Sequence, residues 1–310
     1  MRPKDTAVTV YKFGPKSVFV FSDHAVALKA WAHIRQTAGV PLILFTLDHH
    51  TDTHDAFIGY GVRMNGSKWN DDWRKFAKER IARVDIVDPE AIDSAVRDLE
   101  NDEHICAAID LNILEAAFVV AFSPYPNGGT SSEESKRVAP PNLITAIINN
   151  LNGITIPEEP LPPRPHTYVL PSRRVFYLPN QCFVGCNSQP HTEECRRPHA
   201  DQAIETVFLD HKLEYCDEMI ASLGYRSIFE RPYILDIDLD YFQTKAALSP
   251  CGPNAFYRLI RGAAAVTIAL EPRFVRLVRI DEDLESDFCF DRVKKHCEAA
   301  LGSCSEIFNL

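Results

Sequence analysis

Three short stretches of the chain gather residue types that hold metal ions. The densest is Leu47-Asp48-His49-His50-Thr51-Asp52-Thr53-His54-Asp55, which directly follows an apolar run. Asp48, His50 and Asp52 are spaced by two, so in an extended segment they point to one side. Two carboxylates and an imidazole on one side are costly to hold together unless a cation compensates them. This mixture of oxygen and nitrogen donors suits Mn²⁺, Zn²⁺ or Fe²⁺. A polar turn after a strand would account for one or two of these residues, not for the set. The second stretch, Asp236-Ile237-Asp238-Leu239-Asp240, repeats the spacing of two between Tyr233-Ile234-Leu235 and Tyr241-Phe242. Acids at an exposed strand edge are the plainer alternative, but the apolar flanks argue for burial. The third, Ser22-Asp23-His24, follows an apolar run and opens a helical pattern. Alone, His24 reads as a cap or a solvated side chain; beside the other two stretches it becomes a candidate ligand.

The elements that must position these residues alternate between strand and helix. Residues 18–21 and 41–47 are short, apolar and read as buried strands. Between them, Ala27, Ala30, Trp31 and Ile34 recur at helical spacing within 25–36. Residues 72–81 and 89–99 read as helices, the second with Asp88 as N-cap and Pro89 at its first position. Residues 105–109 are expected to form a third strand. After a proline-rich stretch interrupted by a possible strand at 174–178, a helix is expected over 201–223, ending at Gly224. A strand follows at 233–239, a helix at 256–261, a strand at 265–270 and an amphipathic helix at 288–301. Buried strands alternating with helices predict a three-layer α/β/α fold with a mainly parallel sheet. The whole of 1–310 is read as one domain. Residues 124–200, with Pro140-Pro141 and Pro160-Leu161-Pro162-Pro163-Arg164-Pro165, form an irregular insertion, a lid or a linker. In open sheets of this class, active residues sit at the carboxyl ends of strands, which is where all three stretches fall.

Composition narrows the partners. The chain has 310 residues, a formal net charge of -10, and 45% hydrophobic and 25% charged residues, the balance of a globular enzyme. The acidic balance argues against nucleic acid and is compatible with a cationic substrate. A stretch long and apolar enough for a membrane span is absent, as is a signal-peptide pattern at the start. Nine cysteines without framework spacing predict reduced thiols and a cytoplasmic protein. Cys182, Cys186, His191, Cys195 and His199 do not match a familiar zinc-finger spacing and read as loop residues.

The three motifs resemble those of the arginase (ureohydrolase) superfamily. That family carries Gly-Asp-His before a helix, then Asp-x-His-x-Asp, then Asp-x-Asp on a later strand. Ser22-Asp23-His24 is similar to the first, with Ser for Gly; Asp48 to Asp52 match the second; Asp236-Ile237-Asp238 match the third. The resemblance implies two Mn²⁺ ions. His24, Asp48, Asp52 and Asp236 would hold one; His50, Asp48, Asp236 and Asp238 the other, with Asp48 and Asp236 bridging. It also implies that Asp52 orients the attacking hydroxide and protonates the leaving amine. His54 is a candidate proton shuttle or substrate contact, a surface histidine being the alternative. Glu271-Pro272 stands near the family's Glu-x-Asn-Pro, so Glu271 is a candidate partner for a guanidinium, or else a helix-capping acid.

The resemblance covers about a third of the chain. The residues that grip the α-amino and α-carboxylate groups of free arginine are not recognisable, and Leu239-Asp240-Tyr241-Phe242 replaces the family's Gly-Leu-Asp-Pro. The pattern is closer to divergent relatives that convert arginine side chains of ribosomally made precursor peptides to ornithine, so an arginine-containing peptide is the expected partner. The alternatives are a ureohydrolase acting on a free guanidino or amidino compound, a single-zinc amide deacetylase of the same fold, and a binding protein that kept the fold. Asp52, a second carboxylate where deacetylases have glycine, favours two cations.

Overall fold

The computed structural model describes residues 5–70, 72–122, 137–138, 167–168, 170–179 and 199–310. Most of the proline-rich stretch, and the Cys/His group except His199, lie outside the described residues. The sheet has eight strands in the order β10-β1-β2-β9-β8-β3-β4-β7. Here β1 is Thr9–Phe13, β2 Lys16–Phe21, β3 Leu42–Asp48 and β4 Leu114–Ala121; β5 (Arg137–Val138) and β6 (Thr167–Tyr168) pair separately. β7 is Val175–Pro179, β8 Tyr233–Asp238, β9 Ala265–Ala269 and β10 Cys304–Asn309. All neighbours from β2 to β7 run parallel, and β1 is antiparallel to both β2 and β10.

Along β3 the side chains alternate between two cores. Leu42 and Leu44 pack on one face with α1 (Ala27–Ala38), α4 (Pro89–Asp98) and α5 (His104–Asp110). Ile43, Phe45 and Leu47 pack on the other with α6 (Thr206–Ile220), α7 (Asn254–Gly262) and α9 (Ser286–Leu301). Three layers result, as the near-continuous apolar strands predict. Helix ends follow local chemistry. Asp23 accepts from Ala25 N at 3.0 Å and Asp88 accepts from Glu90 N at 3.0 Å, the N-cap role of a short acid. Gly39 closes α1 with φ 72 and donates to Arg35 O, a left-handed position that suits glycine.

The expected strand at 105–109 is instead helix α5. Its two isoleucines stand four apart and bracket small residues, which fits one helical face better than alternation. The strand comes next, at β4, whose residues are almost all buried; Glu115-Ala116-Ala117 dilute its β-branched signal. β1, β5, β6, β10, α2 (Ile58–Met64) and α8 (Pro272–Val278) were also not foreseen, while α3 (Trp73–Ala82) and the remaining helices and strands of the main sheet lie within a few residues of expectation.

The chain passes from β2 over two strand positions to β3, moves outward through β4 and β7, then returns to place β8 beside β3 and β9 beside β2. Strand order therefore reverses between β3 and β8, where a crevice opens at the carboxyl ends. Among the described residues, no helix is long and apolar enough to cross a membrane. Phe118 on β4, fully buried and stacked on Phe176 of β7 at 4.8 Å, tests the packing of the sheet against its helices. Phe118→Ala should cost about 3–5 kcal/mol in urea unfolding. Leu277→Ala, at a side chain 66% exposed, should stay within about 0.5 kcal/mol; equal losses would contradict the layering.

Candidate metal centre

Alternation along the strands sets the site. Thr46 and Asp48 on β3, Asp236 and Asp238 on β8 and Thr267 on β9 all share the phase of Leu42, Leu44, Ile234 and Ala265, so they face α1 and α5. The registers pair Thr46 with Asp236 and Asp236 with Thr267. Their hydroxyls donate to Asp236, Thr46 Oγ1 to Oδ2 at 2.8 Å and Thr267 Oγ1 to Oδ1 at 2.5 Å. Trp31 Nε1 donates in turn to Thr267 Oγ1 at 3.2 Å. His24 Nε2 completes the arrangement, 2.9 Å from Asp236 Oδ2.

The other carboxylates are held differently. Three of them have one oxygen fixed by a backbone amide and the other turned to a common centre. Asp48 Oδ1 accepts from His50 N at 2.7 Å, Asp238 Oδ1 from Asp240 N at 3.1 Å, and Asp240 Oδ1 from His49 N at 3.1 Å. The free sides converge on two histidines. His24 Nδ1 lies 3.0 Å from Asp52 Oδ2, 3.0 Å from Asp238 Oδ2 and 3.6 Å from Asp48 Oδ2. His50 Nδ1 lies 3.1 Å from Asp240 Oδ2. Two groups of ligand atoms are each compact enough for one ion: His24, Asp48, Asp52 and Asp238, and Asp48, His50 and Asp240. They share Asp48. A third compact group joins His24 and Asp52 to His104.

The residues fit a cation. Asp48 Oδ2 is buried without a hydrogen bond, and His24 Nδ1 is buried between carboxylate oxygens of Asp52 and Asp238 with no well-aligned one. Buried polar atoms of this kind are otherwise paired, and a cation between them would satisfy both. Electrostatics agree. Burial, then the charges of Asp52, Asp240 and Asp238, raises Asp48 well above the usual carboxylate range. Burial also raises Asp52, and burial with Asp240 raises Asp238 to about 7. Burial opposes the charged form of His24, yet Asp236 and Asp238 lift it well above its ordinary value. His50 is lifted in the same way, against burial and by Asp240, to about 9. Only Asp240 runs lower: burial opposes this, but His50 outweighs it.

The structure brings His24, Asp48, His50, Asp52 and Asp238 together, and Asp236 is a member of neither compact group that shares Asp48. Asp236 was expected to bridge two cations. Its oxygens instead accept from two threonines and meet the far nitrogen of His24, the position of a carboxylate that orients a metal-binding imidazole. Asp240 stands where Asp238 was expected. It continues the spacing of two, a signal the sequence carried; the turn Leu239–Tyr241, capped by Asp238, swings it in.

Two site residues adopt left-handed backbone conformations that disfavour L side chains, Asp52 with φ 47 and Glu271 with φ 35. Strain of this kind accumulates at functional sites. Glu271 Oε1 accepts from His24 N at 2.7 Å, so it braces the start of the His24 turn. Burial and Asp238 raise its pKa to about 8. His54 is a third exposed. Its Nδ1 lies 2.6 Å from Asp102 Oδ2, and its amide donates to Asp102 O at 2.9 Å. Sequence reading missed Asp102 as its partner. The hydrogen bond to Asp102 raises the His54 pKa, against burial. Thr53 fastens the same loop through Tyr177 Oη at 2.6 Å and by accepting Cys106 Sγ on its carbonyl at 3.3 Å. The described cysteines, Cys106, Cys216, Cys251, Cys289, Cys297 and Cys304, are free thiols.

No family model matches the chain, and no curated protein sequence matches it. Among solved structures, proclavaminate amidino hydrolase from Streptomyces clavuligerus superposes with a TM-score of 0.39 at 10% identity, over 92% of this chain and 65% of that one. A hypothetical agmatinase from Burkholderia thailandensis gives 0.37 at 12% identity, over 91% and 57%. The chain thus spans less than two thirds of the length of either.

Two measurements follow from this geometry. In the metal-free chain, raised pKa values let the fold hold protons that the unfolded chain has lost. The resulting stability is complete below the unfolded values, about 4 for a carboxyl and about 6.5 for an imidazole, and is lost as pH rises through about 7 for Asp238 and about 9 for His50; Asp240, shifted the other way, opposes this. Cations displace those protons. The rise in melting temperature on adding a divalent cation should therefore grow between about pH 5.5 and about pH 7.5, and a pH-independent rise would contradict the site. Secondly, Asp236→Asn should weaken cation binding about 10–100-fold while keeping the stoichiometry. Asp48→Asn should lose a cation by elemental analysis. The reverse pattern would make Asp236 a ligand.

Proposed function

We propose that this protein is a dinuclear-metal hydrolase of the arginase type that removes urea from arginine side chains in a peptide, leaving ornithine. The observation that carries the reading is the pair of adjacent ligand groups sharing Asp48 at the carboxyl ends of β2, β3 and β8. His24, Asp48, Asp52 and Asp238 would hold one cation, and Asp48, His50, Asp240 and the nearby Asp238 the other. Mn²⁺ is the proposed metal, consistent with an oxygen-rich ligand set. When bound, two cations supply Lewis acidity and an activated water at neutral pH.

The chain's own groups supply the rest. Asp52, in the cluster and raised in pKa, takes the proton of the attacking water and returns it to the departing amine. Water thus adds to the guanidinium carbon, the bond to the side-chain nitrogen breaks, and urea and a primary ammonium result. His54, held by Asp102 at the partly exposed rim, exchanges protons with solvent. Glu271, on the other side of His24, is proposed to meet the planar guanidinium with the carboxylate oxygen not fastened to His24 N. Phe274, half-buried and edge-on to His50 at 5.8 Å, offers an apolar wall for the methylenes of the arginine stem.

The peptide substrate is supported by the missing grip for a free amino acid; a free guanidino or amidino compound suits the metal centre itself equally. The discriminating experiment incubates manganese-loaded protein with arginine-containing peptides and, separately, with free L-arginine. Urea together with loss of CH₂N₂ per peptide arginine is the expected result. Asp52→Asn should lower it by at least about 100-fold, and His54→Asn by less. Urea from free arginine alone would replace the peptide reading, and turnover of neither would reject both.

A further inference from the structure

His104 is the buried polar group near the centre that neither the sequence motifs nor the proposed chemistry uses. It is fully buried on α5. Its ring lies 4.2 Å from that of His24 and 5.3 Å from that of Trp31. One of its ring nitrogens lies within 4.8 Å of a ligand atom of His24 and of one of Asp52. Its Nδ1 is 3.0 Å from Asn101 O. A carbonyl only accepts, so Nδ1 carries a proton, and Nε2 is left as the ring nitrogen that can serve as a ligand. Metal-binding histidines are fixed in the same way, by a carbonyl or carboxylate on the other nitrogen. His24 repeats the pattern with Asp236 on its Nε2. Two imidazoles, each with its far nitrogen tied back, therefore stand side by side against Asp52.

We propose that His104 Nε2 is a ligand of the cation held by His24 and Asp52, so that the two cation positions of the centre are chemically unequal. The inference rests on the dinuclear reading of the cluster and not on any substrate. The His24 side would offer two imidazoles, and the His50 side one. Nitrogen donors favour Zn²⁺, Co²⁺ and Fe²⁺ over Mn²⁺ more strongly than carboxylates do. One position should therefore retain a borderline metal such as Zn²⁺ in competition with Mn²⁺, while the other takes Mn²⁺ readily.

The test uses the full chain loaded with Co²⁺ and needs no turnover. His24 and His104 both carry buried ring N–H groups fastened to acceptors, whereas His50 is partly exposed. Proton NMR of the Co²⁺ protein should show two solvent-protected, hyperfine-shifted imidazole N–H resonances; one alone would overturn the proposal even if every variant failed to fold. In His104→Gln, one of the two should vanish and the visible Co²⁺ bands should change. Affinity for the tighter cation should fall by about tenfold or more, with the weaker one unchanged. From an equimolar Zn²⁺ and Mn²⁺ mixture, the wild type should keep one of each, and His104→Gln should lose the preference. A variant that melts earlier yet keeps its Co²⁺ spectrum and both affinities would show that His104 only packs against Trp31, and would overturn the proposal alone. A wild-type protein that binds no cation would overturn it together with the dinuclear reading.

Discussion

Five aspartates, Asp48, Asp52, Asp236, Asp238 and Asp240, are buried within one crevice together with Glu271. Carboxylates so close and so poorly solvated repel one another and resist ionisation. The arrangement is held by two devices. Asp236 is neutralised locally by hydroxyl donors and His24. Asp48, Asp238 and Asp240 keep one oxygen on a backbone amide and turn the second inward beside Asp52, where His24 and His50 supply some positive charge and cations would supply the rest. The rest of the centre follows from that division. The β3–β8 register decides which carboxylate is tied down, and the turns after β3 and β8 decide which are presented.

The scaffold around this charge is apolar and stiff. Central strands with a core on both faces cannot slip in register without exchanging one core for the other, so Thr46 and Thr267 are fixed opposite Asp236. The left-handed conformations of Asp52 and Glu271 sit just beyond that stiff region, where neighbouring contacts can sustain them. Glu271 reaches back to the His24 amide, and the His54 loop is laced to the start of α5 through Asp102 and Cys106. The strands thus fix the ligands on β3 and β8, while His24, Asp52 and His54 are fixed by contacts between loops.

Much of this was legible in the sequence. The spacing of two after apolar runs marks Asp48 and Asp238 because strand geometry makes that spacing a face, whereas His50 and Asp52 lie beyond the end of β3 and are brought in by the turn that follows, Asp52 in a left-handed conformation. The limit of the signal is that Asp236, Asp238 and Asp240 share it. Telling the tied carboxylate from the presented ones requires the threonines of two other strands, one of them Thr46, 190 residues away in the chain. His104 carried no local signal at all. It reaches the site through α5, where two isoleucines around small residues were misread as a strand, and its significance comes from Asn101, Trp31 and His24 together. Similarly, β4 was passed over because Glu115 and two alanines mask a strand buried for tertiary reasons.

The central claim is that two cations share Asp48, with Asp236 outside their reach. Anomalous diffraction from crystals soaked in Mn²⁺ tests it most directly. The account predicts two peaks flanking the Asp48 carboxylate, one beside His24 and Asp52 and the other beside His50 and Asp240, with Asp236 still on Thr46 and Thr267. A single peak, or one bound by Asp236, would contradict it.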